Sequence, residues 1–328
     1  MRGRTAPAPP HGAARADRSV RAAGAAAPPA PPAAAEATGT PVASATTSVL
    51  VKDGTHGSFR LGGTPATDVA GRAALLARAP GAARVIAELP TAELWLWVPD
   101  VALTRVTTGA TPIDGVDGSK NVGTLGGGIA VDVIDTRGGR VHVRTKLYFG
   151  SNTLSLDATL PASAVGTEYV VSAPPRQSPD THDIEFPGAD YDKAPLAVLT
   201  HPGGVPVATL EQGGRVFGWS ARLIEKKGDR AKVSVSMEDD DGYWVTVQGF
   251  IPARTLHPTP PPEAELDKVA EVVGGAAPEG APAGSCLLDA PDGTPVGKLT
   301  HATAVDDEGR VQLSGLTLWV RRDGPCTP

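Results

Sequence analysis

Apolar and polar residues alternate along much of this chain with a period of two, in paired runs separated by glycine-containing turns. In Val131-Asp132-Val133 and Val141-His142-Val143-Arg144 the valines fall on one side, with Arg137-Gly138-Gly139-Arg140 between the runs. That is the pattern of two half-buried strands joined by a tight hairpin turn. It returns with Val233, Val235 and Met237, the turn Glu238–Gly242, and Tyr243, Val245 and Val247. It returns once more with Val311-Gln312-Leu313 and Leu316-Thr317-Leu318-Trp319-Val320.

These hairpins belong to a longer repeat. Copies start near Thr111, Ala194 and Ser285, each with a short apolar segment and a glycine-containing turn. Val122-Gly123-Thr124-Leu125, Val207-Ala208-Thr209-Leu210 or Val296-Gly297-Lys298-Leu299 follows, then the hairpin. The copies end in Leu160-Pro161-Ala162, Ile251-Pro252-Ala253 and Trp319-Val320-Arg321. Internal repetition at this spacing predicts several small all-β modules on one chain. Their expected bounds are 107–172, 191–257 and 285–328. The Pro- and Gly-rich stretches 173–190 and 258–284 read as linkers, the second with a short helix over Glu263–Val273 closed by Gly274-Gly275.

Residues 48–106 fit the repeat less well. Ser48–Lys52 and Ser58–Leu61 predict strands, while Arg72–Leu89 has a helical composition interrupted by Pro80-Gly81. The same stretch also aligns as a degenerate repeat, since Leu76–Gly81 resembles Leu287–Asp292 and Leu94–Pro99 resembles a closing strand. Trp95 and Trp97 alternate with Leu94, Leu96 and Val98, so that strand is apolar on both faces. The reading is an incomplete or diverged β module. Residues 1–47, made mostly of Ala, Pro, Arg, Ser and Thr, cannot offset the entropy of ordering and predict a disordered tail.

Composition changes this picture in three places. With 39 Gly and 32 Pro in 328 residues and only 4% aromatics, each module has a small core and needs support from a neighbour or a covalent staple. The formal charge is -6, and five Arg with one Asp in residues 1–22 give +4, which leaves -10 for the rest. So acidic a body argues against nucleic acid as a partner. The two cysteines, Cys286 and Cys326, bracket the last repeat. They are either free thiols or a disulfide; the small module they flank favours the bridge, and with it an oxidising compartment. No apolar run is long enough for a transmembrane helix, and Ala22–Ala35 is not the apolar core of a secretory signal.

The repeat resembles bacterial SH3-like (SH3b) modules. The match is clearest at 195–256, where Gly204, Val207, Thr209-Leu210, Gly213, Tyr243-Trp244 and Gly249-Phe250-Ile251-Pro252 follow the family order. The last module matches through Pro291-Asp292-Gly293, Val296-Gly297-Lys298-Leu299 and Leu318-Trp319-Val320. The copy at 112–165 matches through Gly118, Val122-Gly123-Thr124-Leu125 and Leu160-Pro161. The Leu-x-Val-Arg-x-Gly-Pro opening of the family is missing from every copy. The resemblance implies tandem small SH3-like barrels and a non-catalytic binding or scaffolding role in the periplasm or cell envelope. It implies an envelope protein or peptidoglycan as partner, and no cofactor.

Side-chain chemistry adds few candidates. Trp244 and Trp319 fall out of phase with their apolar neighbours, which makes them either an outward ligand surface or rings packed on a neighbouring module. Asp180, His182, Asp183, Glu185, Asp190 and Asp192 form the densest acidic group but lack calcium-loop or zinc spacing, so a solvated linker is expected. Gly123–Gly128 is neither GxGxxG nor GxxxxGK[ST]. No nucleophile elbow, HExxH or Cys-His pairing stands out. Two rival readings remain: an assembly subunit of an envelope complex, and a hydrolase with a diverged site in residues 48–106 or around His182.

Overall fold

A computed structural model describes residues 40–41, 47–175, 181–188, 193–213, 219–239, 241–258, 280–322 and 326–328. Among them every regular element is a β-strand or a short 3₁₀ turn, and the sheets are antiparallel. Of the expected tail only Thr40–Pro41, which pairs with Arg78 and Ala77, and Thr47 are described. The expected helix Glu263–Val273 lies outside the described residues.

The segment 48–106 is β throughout its regular elements, apart from one 3₁₀ turn. It holds the strands Thr47–Gly57, Thr67–Ala79, Ala82–Leu89 and Ala92–Pro99, then the 3₁₀ turn Asp100–Ala102. The run that looked helical is two strands, with Ala79 opposite Ala82 across the Pro80-Gly81 turn. Gly81 takes a positive φ of 77° there. Burial alternates as Ala73 and Leu75 before the turn and Ala83, Val85 and Ala87 after it. A period-two apolar face against a shared core outweighs the helical preference of Ala, Leu and Arg. Ser58–Leu61 is not a strand: Ser58 makes one bridge to Trp97 and a loop follows.

Four repeats therefore share one closing hairpin. In each, a turn carbonyl accepts an N–H from the end of the last strand: Gly81 from Asp100, Gly139 from Ala162, Asp229 from Ala253 and Gly309 from Val320, at 2.8–2.9 Å. In the first three the donor follows Pro99, Pro161 or Pro252, and the chain coils into a 3₁₀ turn. Proline has no N–H to extend the ladder, so the strand ends there. Trp319 fills this position in the fourth repeat, and the strand Leu316–Arg321 runs on to pair with Cys286–Leu288.

The repeated Val-x-x-Leu strands explain how the copies hold together. Gly123–Leu125 pairs with Val245–Val247 of the third repeat, and Ala208–Glu211 pairs with Thr153–Leu156 of the second. The second and third repeats thus exchange strands reciprocally. Gly297–Leu299 of the fourth pairs with Ala92–Leu94 of the first. The cores follow the same division. Leu94, Leu96, Leu287, Val296, Leu299 and Leu318 share one cluster; Ile113, Leu154, Val198, Leu210, Val247 and Ile251 share the other. Small cores become adequate by fusing in pairs.

The glycine of this motif marks the crossing. A Cβ on Gly297 would collide with the Glu93 carbonyl oxygen, and one on Gly123 with that of Thr246. Gly297→Val is expected to cost about 1–3 kcal/mol, the usual range for overpacking. An unchanged melting temperature would contradict the close approach.

The stretch 173–190, read as a linker, is corrected in part. His182–Ile184 forms a strand paired on both edges, with Trp219–Ala221 and with Leu256–Pro258. Ile184 and Phe186 enter the second core. Two large apolar residues on alternate positions were enough to hold an otherwise acidic, proline-rich segment. Cys286 and Cys326 form a disulfide across 40 residues of chain, with Cα atoms 5.3 Å apart.

Candidate functional site

Trp244 does not form an outward ligand surface. It points away from Val245 and Val247, as the alternation requires, but the second repeat covers that face. The ring lies over Gly126, and its indole N–H donates to the Ser172 carbonyl at 2.7 Å. Beside it, the Arg72 guanidinium stacks 4.0 Å from the Tyr243 ring centre and hydrogen-bonds the Tyr243 hydroxyl at 3.2 Å. Burial, and then the nearby Tyr243 hydroxyl, pushes the Tyr169 phenol above its usual range. This cluster fastens the first repeat to the second and third. Trp319 is half-buried, opposite Leu288 and Arg310 in the sheet. The two tryptophans are not brought together as one surface.

Of the acidic group around His182, His182 and Asp183 are strand residues and Glu185 is paired with His257 at 2.6 Å, while Asp180, Asp190 and Asp192 lie outside the described residues. Among the described residues no three His, Cys, Asp or Glu side chains are grouped to hold a metal ion. No described helix is long and apolar enough to cross a membrane.

The first repeat carries the concave site that sequence reasoning missed. A cleft of about 460 Å³ runs between the loop after Ser58 and the Pro80-Gly81 turn. Its floor is Trp97, Val98 and Pro99; Leu61 and Pro65 form one wall and Pro80 the other. The floor is rigid because Ser58 and Trp97 exchange both backbone hydrogen bonds, at 3.0 and 2.8 Å. The loop is closed at its base by the Ala66 N–H on the Gly57 carbonyl at 2.8 Å. Arg60, at its tip, is tied to Asp289 of the fourth repeat at 3.2 Å. Trp97 is 8% exposed, whereas Leu61 is 36% exposed at the rim. The signal available in the sequence was the strand that is apolar on both faces and ends at Pro99.

This cleft also holds His56, whose Nδ1 contacts the Asp68 carboxylate. Ser58 lies in the same cleft, but its hydroxyl donates to the Arg60 carbonyl at 2.7 Å. The Ser58 proton is thus committed to the loop and not to His56. A rigid trough of proline, leucine and tryptophan suits binding of an extended apolar segment.

Comparisons with protein families, with curated proteins and with solved structures give no match to this chain.

Proposed function

We propose that this chain is a non-catalytic binding or scaffolding protein of the bacterial cell envelope, built from SH3-like modules. In this reading the cleft over Trp97 takes an extended apolar segment of an envelope protein. The observation that carries it is that cleft: a fixed floor with Trp97 and Pro99, walls at Pro65 and Pro80, and an exposed leucine at the rim. Pockets of this kind bind through buried apolar area, with a few polar groups setting orientation. The Cys286–Cys326 disulfide supports an extracytoplasmic setting, where such bonds persist. The module assignment is supported by the hairpin and 3₁₀ turn that recur after Pro99, Pro161 and Pro252.

Leu61→Asp tests the reading at a residue whose exposure spares the fold. Against a library of extended apolar peptides, the intact chain is expected to bind and the variant to bind about tenfold more weakly, near 1.4 kcal/mol. Equal binding by the two proteins, or none by either, would remove the cleft from the proposal. An assembly subunit of an envelope complex remains the second reading, favoured by how extensively the repeats already use strand pairing to join one another.

A further inference from the structure

We propose that a second site, on the outer sheet face where the second and third repeats meet, binds an uncharged oligosaccharide. It stands on different residues from the peptide cleft, so either can fail alone. Three strands lie side by side there: Arg140–Phe149, Asn152–Pro161 and Pro206–Glu211. Their register places Lys146 opposite Ser155, and Ser155 opposite Thr209. Arg144 opposite Asp157 forms the row on one side; Tyr148 opposite Thr153 forms the row on the other. Directly opposed residues share a face, and successive rows are about 7 Å apart along a strand. The face is therefore a grid of donors, acceptors and one ring, with a cleft of about 330 Å³ at Arg144, Lys146, Ser155, Asp157 and Thr209.

Two features select the ligand. The strand Asn152–Pro161 is paired on both edges along this stretch, so the floor offers no row of free N–H and C=O groups to an added peptide strand. Recognition must come from side chains. Those side chains carry no excess of positive charge: Asp157 holds Arg144 at 3.0 Å and contacts His142, Lys146 sits 3.8 Å from Glu211, and Asp132 adds a further carboxylate to the cleft lining. Such a face gives a polyanion no net attraction. Fixed carboxylate–guanidinium and hydroxyl groups instead match the mixed donors and acceptors of sugar hydroxyls. Tyr148 completes the site. It is 65% exposed, and among the described residues it is the one aromatic ring with so large an exposure. Lys146 Nζ lies over one face, 5.6 Å from the centroid, and the opposite face suits stacking on the apolar face of a pyranose ring.

The test uses the full chain, titrated calorimetrically with N-acetylglucosamine oligomers and with β-linked glucose oligomers, both uncharged. Binding of at least one probe is expected, weakened about fivefold in Tyr148→Ala, the loss typical of one aromatic contact. Ser155→Ala is expected to weaken it as well, and Leu61→Asp to leave it unchanged. No binding of either probe at millimolar concentration would overturn the proposal. Equal binding by Tyr148→Ala would overturn it too, as would a loss that follows Leu61→Asp.

Discussion

Trp244→Ala is expected to cost about 3–5 kcal/mol, the range for removing a large buried aromatic. The ring is 4% exposed, rests on Gly126 and donates its indole N–H to the Ser172 carbonyl. Truncation leaves a cavity between the second and third repeats and an unpaired carbonyl. Trp244→Phe separates the two contributions: it keeps most of the packing and loses the hydrogen bond, at about 1–3 kcal/mol. Urea unfolding curves of the three proteins measure both differences. A loss below about 1 kcal/mol for the alanine variant would return Trp244 to the surface.

The second large effect is at the disulfide. Reduction, or Cys286→Ser, opens a loop of 40 residues, and chain entropy sets the loss at roughly 4 kcal/mol. The consequence should not stay within the fourth repeat. Val296 and Leu299 pack in one cluster with Leu94 and Leu96, and the strand Pro295–Leu299 covers the edge of Ala92–Pro99. Loosening the last repeat therefore strips an edge and part of a core from the first. Thermal unfolding with and without reductant is expected to show one early transition covering both. A protein whose melting is indifferent to reductant would contradict the role of the bridge.

The strands themselves were legible because alternation fixes which side chains share a face. Val141, Val143, Val233 and Val235 are all buried as that rule requires. What alternation does not carry is what lies on the other side of a sheet. Trp244 was placed on the correct face, yet the face is covered by Gly126 and Ser172, more than 70 residues earlier in sequence. The first repeat was obscured for a different reason. Its alanines and leucines have helical preference, and only pairing with a neighbouring strand reveals the period of two. The short strand His182–Ile184 is hidden because proline and acid dominate its surroundings, while Ile184 and Phe186 alone provide its burial. The motif Val-Gly-x-Leu was visible as a repeat, but its purpose was not: the glycines at 123 and 297 are small because another repeat's backbone passes there.

Strands shared between distant repeats join the two halves of each core, and hydrogen exchange read by mass spectrometry on the whole chain tests this most directly. On selective reduction of Cys286–Cys326, peptides covering 295–299 and 92–99 are expected to lose protection together, while those covering 153–156 and 208–211 keep theirs. Loss confined to residues 286–321, with 92–99 as protected as before, would contradict it.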